Sequence, residues 1–183
     1  GYIVLRSQTQ GGAVLLPTPG TYSTVNIYAD YVIIDGFDVQ GGGGHAIDGE
    51  GCHHSGVFNC ITHDSGGSGI SFARSEFITI QDNIAYGNAG TNGYQCSGIS
   101  VYQCRNLSGD TEYKGFRTVI RGNISYNNFE TASIPGDHTD GNGIIIDDFQ
   151  HTQADGYPNY TFPTLVENNL VYSNGGKGIQ VTW

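Results

Sequence analysis

The chain has 183 residues, 29 of them Gly, and only 13% are charged. Seventeen acidic against seven basic residues leave a net charge of −10, which argues against nucleic acid as a partner. No apolar run is long enough to cross a bilayer, and so much Gly argues against long helices.

β-branched and turn-forming residues dominate, so one all-β domain over 1–183 is expected. In chain order, a weak copy of a repeated motif comes first, IDGFDVQGG at 34–42. VFNCITHDS (57–65), IQDNIAYGN (80–88), IRGNISYNN (120–128) and VENNLVYSN (166–174) follow. A second short motif trails each copy: Ala46-Ile47, then Gly-Ile at 69–70, 98–99, 143–144 and 178–179. Ile34 to Val57 is 23 residues, and Val57 to Ile80 is 23 again. A unit of that length with short strands and sharp Gly/Asn turns is one coil of a parallel β-helix. The expected fold is a single-stranded right-handed parallel β-helix.

Stacked coils bury what no single coil can. Ile47, Ile70, Ile99, Ile144 and Ile179 should form one inward column, with Phe72, Val101, Ile146 and Val181 beside it. Asn83, Asn123 and Asn169 should stack as an amide ladder, with Cys60 in register in the preceding coil. Tyr86, Tyr126 and Tyr172 should form an aromatic column, with His63 in line.

The period breaks in two adjacent coils. Long insertions flank the strands Ile99–Val101 and Ile144–Ile146, and insertions in solenoids emerge as loops on one face. The expected groove has as its floor the outward positions Asp48, Ser71, Ser100, Ile145 and Gln180. Glu50, Ala73, Tyr102, Asp147 and Thr182 form a second row. One rim carries Asp137, His138, Asp140 and Asn142, with Lys177 equivalent to Asn142 one coil on. The other rim carries Asp147, Asp148 and His151, near Tyr102. Asp140 and Asp148 lie across an extended strand, up to roughly 26 Å apart, so the rims are two sub-sites. Taken singly, Asp140-Gly141 is also a turn dipeptide, Asp147-Asp148 a strand cap, and Lys177 a surface lysine.

Cys52, Cys60, Cys96 and Cys104 show no C-x-x-C spacing, which argues against a zinc knuckle or thioredoxin-type site. Their even number suits disulfides in an oxidising compartment, with all three pairings open. Sequons at Asn106, Asn123 and Asn159 fit a secreted or periplasmic location. The chain starts at Gly1 without Met or signal peptide and reads as a mature or excised segment. Its last strand-like stretch, Gly178 to Trp183, would leave a bare edge, so continuation of the helix or end-to-end stacking of another chain is expected.

The stretches ADYVIIDGFDV (29–39), GCHHSGVFNCITHDSGGSGISF (51–72), DGNGIIIDDFQHTQ (140–153) and LVENNLVYSNGGKGIQV (165–181) resemble bacterial secreted right-handed parallel β-helix repeat proteins. Their characterised relatives are polysaccharide lyases, particularly family 9 pectate-lyase-like enzymes. The resemblance implies a secreted lyase acting on a uronic-acid polysaccharide by calcium-assisted β-elimination, with Asp137, Asp140, Asp147 and Asp148 as the calcium acids. It implies Lys177 as the base, although this lysine precedes its Gly-Ile pair instead of following it. His138 is the second choice of base, and Tyr102, Arg74, Gln180 and His151 are substrate contacts. Ca²⁺ in an acidic groove would bridge to a polyuronate that the bare groove repels. Polygalacturonases share the helix, but here TDG and DD sit within one coil, which disfavours that hydrolase. The competing class is a non-catalytic carbohydrate-binding or adhesive solenoid.

Overall fold

The computed structural model describes residues 1–131, 140–153 and 156–182. Among them are eighteen strands and no helix, so none long and apolar enough to cross a membrane. The first coil contributes Ile3–Arg6 (β1), Ala13–Leu15 (β2) and Val25–Ile27 (β3). The second contributes Val32–Asp35 (β4), Phe37–Gln40 (β5) and Ile47–Glu50 (β6). His53–Phe58 (β7), Ile61–His63 (β8) and Ile70–Ala73 (β9) make the third coil. Glu76–Gln81 (β10), Ile84–Tyr86 (β11) and Ser97–Tyr102 (β12) make the fourth. Thr118–Arg121 (β13), Ile124–Tyr126 (β14) and Asn142–Asp147 (β15) precede Thr164–Glu167 (β16), Leu170–Tyr172 (β17) and Ile179–Thr182 (β18).

Every third strand pairs, always in parallel, giving three six-stranded sheets visited in rotation. That connectivity is what a parallel β-helix solenoid requires. Equivalent positions of the third and fourth coils, Cys60 and Asn83, are 23 residues apart. The next two steps, Asn83 to Asn123 and Asn123 to Asn169, are 40 and 46. The extra residues fall in four connecting segments of the chain, 87–96, 103–117, 127–141 and 148–163, each next in sequence to β12 or β15.

Left-handed backbone marks the corners. Between the first and second sheets, Gly36, Asn59, Asp82, Gly122 and Asn168 take φ of 79°, 51°, 57°, 67° and 54°. Gly, Asn and Asp enter this region at least cost, which is why these types recur there. The residue after each corner turns inward. Asn83 Nδ2 donates to Asn123 Oδ1 at 3.0 Å, and Asn123 Nδ2 to Asn169 Oδ1 at 2.9 Å. Each Oδ1 also accepts the backbone N–H of the coil before it, including that of Cys60. A second ladder runs one corner later, Asn88 to Asn128 at 3.1 Å and Asn128 to Asn174 at 2.8 Å. The aromatic column also forms: His63, Tyr86, Tyr126 and Tyr172 lie 5.1, 5.3 and 5.1 Å apart and near parallel.

The core fills the space between the sheets. Ile47, Ile70, Ile99 and Ile144 are fully buried, as are Phe72 and Val101, with Ile34, Val57, Ile80 and Ile120 opposite. Each such Ile contributes about 1.5–3 kcal/mol. In the last coil Ile179 and Val181 continue these columns but are 47% and 55% exposed.

The cysteines depart from the disulfide expectation. All four are buried free thiols. Burial pushes Cys60 up to about 11 and Cys96 and Cys104 up to about 12. Cys52 Sγ lies 3.5 Å from Ser75 Oγ and Cys104 Sγ 3.9 Å from Thr118 Oγ1, so these two sulfurs meet hydroxyls. An even count says nothing about which faces of the coils the sulfurs occupy: Cys52, Cys60 and Cys104 fill the core as small apolar groups, and Cys96 is buried outside it.

Candidate functional site

The outward face of the third sheet (β3, β6, β9, β12, β15, β18) carries a cleft of about 470 Å³. Strand alternation sets its floor. Asp48, Ser71, Ser100 and Ile145 are successive cross-strand neighbours, and Glu50, Ala73, Tyr102 and Asp147 form the next row. Loop 87–96 raises one wall with Tyr94 and Gln95, and Gln153 from loop 148–163 closes another. From β6 to β15 the lined strands span three strand spacings, about 14 Å, the length of a short extended oligomer.

A chain of polar contacts crosses this floor. Gln153 Nε2 donates to Asp147 Oδ1 at 3.4 Å, and Tyr102 Oη donates to Gln153 Oε1 at 3.2 Å. The Arg74 guanidinium lies 5.9 Å from the centre of the Tyr102 ring and forms an ion pair with Glu50. Arg74 holds φ 52°, a left-handed conformation uncommon for a residue other than Gly, Asn or Asp, at the corner that follows β9. Burial pushes the Asp48 carboxyl up to about 6, with Glu50 adding to it. Burial, then Asp148 and Asp140, push Asp147 up to about 6 as well. Both therefore hold their protons to a higher pH than a free carboxyl does. Three strand spacings separate them, about 14 Å, beyond the roughly 5–9.5 Å of a glycosidase carboxylate pair.

Tyr22 and His45 border the other end. Tyr22 Oη accepts from Asn92 Nδ2 at 2.7 Å, and its ring lies against Gly44, where a Cβ would stand 2.4 Å from Cδ1. Only Gly leaves that ring its place. His45 Nδ1 accepts the Ser68 backbone N–H at 2.9 Å, and burial pulls the imidazole down to about 4. His45 is thus neutral with its proton on Nε2, a donor rather than a base.

Of the catalytic, substrate and metal residues named from the sequence, Tyr102, Arg74 and Asp147 line the cleft, together with the expected floor positions Asp48, Glu50, Ser71, Ala73, Ser100 and Ile145. Asp148 sits beside it with a fully buried side chain. Its carboxylate accepts from Gln103 Nε2, the Thr152 N–H and hydroxyl, and the Gln153 N–H, and these bonds hold it below the usual carboxylate range despite the cost of burial. That is the strand-end cap of loop 148–163. His151 is buried, with Nε2 2.9 Å from the Cys104 carbonyl oxygen and its ring tilted against Tyr157. Asp140 is 5% exposed at the start of β15, where its N–H donates to Glu130 Oε2 at 2.7 Å. Lys177 is exposed in the turn before β18, its N–H donating to Asn142 Oδ1 at 2.7 Å. Gln180 pairs in register with Ile145 but does not border the cleft. Asp137 and His138 lie outside the described residues.

Of the acids named for calcium, Asp140, Asp147 and Asp148 do not share one site among the described residues. Among the described residues no three His, Cys, Asp or Glu side chains gather as a metal-binding group. Asp148 is already filled by donors, and Asp140 and Asp147 stand at opposite ends of β15.

Tyr22, His45, Tyr94 and Gln153 went unrecognised in the sequence. Tyr94 and Gln153 belong to insertions that were visible by length but not by residue. His45 could have been found, because it aligns with Ser68 one coil on, at the head of the third-sheet strand. Compared with known proteins, the chain matches no family model, no curated protein and no solved structure.

Proposed function

We propose that the protein is a right-handed parallel β-helix that takes a polysaccharide into the cleft on its third sheet, as a secreted carbohydrate-active protein. Right-handedness follows from strand twist, which makes parallel crossover connections almost uniformly right-handed. One observation carries the glycan reading: a long, open, polar cleft on a rigid sheet, edged by Tyr22, Tyr94 and Tyr102, with Ser71 and Ser100 on its floor. Aromatic edges with a hydroxyl and carboxyl floor suit a sugar chain, which offers apolar ring faces and many hydroxyls.

The catalytic form of this reading is β-elimination on a uronate. Arg74 is the sole Lys or Arg among the described lining residues, so it is where a uronate carboxylate docks. Neutralising that carboxylate makes the C5 proton removable, and the developing enolate charge falls on the same guanidinium. As its phenolate, the Tyr102 oxygen would take the C5 proton and, as the resulting phenol, return it to the departing O4 as the C4–O bond breaks. The calcium acids expected from the resemblance do not assemble among the described residues, so no step is assigned to a metal.

Hydrolysis is the second reading, because Asp48 and Glu50 stand two residues apart on the outward side of β6. That is about 7 Å in a strand, within the range of a glycosidase carboxylate pair. Asp48 is the proton donor of that pair, and Glu50, held by Arg74, is the carboxylate.

A panel of pectate, alginate and neutral glucan or mannan, followed for new reducing ends and for unsaturated-sugar absorbance, tests both. Reducing ends with unsaturation support elimination, and Tyr102→Phe should then lower kcat by about 10²–10⁴. Reducing ends without unsaturation support hydrolysis. Tight binding without either leaves the protein a carbohydrate-binding module, and neither binding nor products on any glycan removes the proposal.

A further inference from the structure

On the side of the molecule away from the cleft, two adjacent imidazoles converge. His53 opens β7, and the Nδ1 atoms of His53 and His54 are 3.0 Å apart. Stacking fixes this geometry. The His54 ring lies between Tyr31, at 4.9 Å and 18°, and Phe77, at 4.3 Å and 21°. Tyr31, His54 and Phe77 occupy successive coils and all take left-handed backbone, with φ of 62°, 54° and 51°. His53 meets Tyr31 edge-on at 5.3 Å. Asp30 backs His53 twice: Oδ1 accepts the His53 N–H at 2.9 Å, and Oδ2 stands 3.3 Å from Nε2.

We propose that His53 and His54 form a bidentate site for a divalent copper- or nickel-type cation, with water completing the coordination. The carboxylate facing His53 Nε2 favours the proton there, which leaves the His53 Nδ1 lone pair directed toward His54. A carboxylate behind the distal nitrogen of a ligating His is the usual support of such a ligand. The separation also selects the metal class. With metal–nitrogen bonds of about 2.0–2.1 Å, nitrogens 3.0 Å apart subtend an angle of about 95°. That matches adjacent positions of a tetragonal ion, whereas a tetrahedral ion needs the nitrogens about 3.4 Å apart. On binding, His54 moves its proton from Nδ1 to Nε2, so no net proton is released. His53 and Asp30 are 19% and 46% exposed at their side chains, which leaves an entry path for the ion.

The test is calorimetric titration of Ni(II) into the intact protein, with Cu(II) electron paramagnetic resonance as a second readout. We expect one ion per chain and a copper spectrum showing two imidazole nitrogens. The double variant His53→Gln/His54→Asn should lose this binding, Asn being chosen because it tolerates the left-handed backbone at 54. Asp30→Asn keeps the oxygen that accepts the His53 N–H but loses the charge, and should weaken Ni(II) binding about 10–100-fold. Ni(II) binding that is equal in the parent and a folded double variant would overturn the site. So would a copper spectrum of the parent without two-nitrogen coordination, a result that stands even if the double variant does not fold.

Discussion

Asn123 serves four groups with one side chain. Its Oδ1 accepts from the Asn83 N–H and Asn83 Nδ2, while its Nδ2 donates to the Ile80 carbonyl and Asn169 Oδ1. Asn123→Ala strands these buried groups together, and at 1–3 kcal/mol for each unsatisfied group the loss should reach about 3 kcal/mol or more in urea unfolding. A loss below about 1 kcal/mol would mean water replaces the amide. The four thiols give a second check at this scale. Without reductant, a thiol reagent should find almost none in the native protein and all four after unfolding. Asp147 gives a third. Its folded pKa of about 6 lies above the unfolded carboxylate value of 3.8, so the folded state binds the extra proton between them. Its contribution to stability therefore falls as pH rises from about 4 to 6, and Asp147→Asn should raise the melting temperature at pH 7 while changing little at pH 4. A gain that is the same at both pH values would contradict the shift. The first ladder was legible because Asn83, Asn123 and Asn169 recur in one aligned motif. Asn88, Asn128 and Asn174 close the same motifs, yet Asn at a motif end also reads as an ordinary turn residue, so the second ladder was not separable by pattern.

Loops obey a different logic from coils, because each must be pinned by contacts that no repeat encodes. Loop 103–117 ends in Arg117, whose side chain is fully buried against Phe162 at 3.4 Å and Phe77 at 4.7 Å. Arg117 pairs with the equally buried Glu76 and donates to the Asp110 carbonyl, while Glu76 Oε2 accepts the N–H and hydroxyl of Ser108. Glu76→Gln leaves a buried guanidinium without its counter-charge and should cost about 3–5 kcal/mol. Limited proteolysis should then cut first within 103–117, and a variant with parent-like stability would show that water reaches the pair. In sequence Arg117 and Glu76 look like ordinary surface charges forty-one positions apart. Only the insertion that carries Arg117 back over β10 makes them neighbours. Glu130 does similar work between two other loops, accepting from the Gln95 and Asp140 N–H groups. Loop lengths and positions followed from the broken period, but their anchors did not.

Six stacked coils make one sheet face long and flat enough to hold a polymer, and the insertions decide which face that is. The pattern placed Glu50, Ala73, Tyr102 and Asp147 in one outward row, and that row lines the cleft. It put weight on Asp148 and Lys177, which do not line this cleft, because acids and lysines draw attention where charge is scarce. The cleft instead reaches back to Tyr22 in the irregular first coil, where no repeat exists to align. The central claim is that this cleft is the glycan site, and a blocking substitution tests it most directly. Ser100 lies on the cleft floor, outward from β12, so Ser100→Trp fills the cleft without touching the buried columns or ladders. Titration of the polysaccharides that the parent binds, followed by calorimetry, should show binding lost in Ser100→Trp at unchanged melting temperature. Equal affinity in the parent and Ser100→Trp would contradict the account and move glycan recognition to another face of the solenoid.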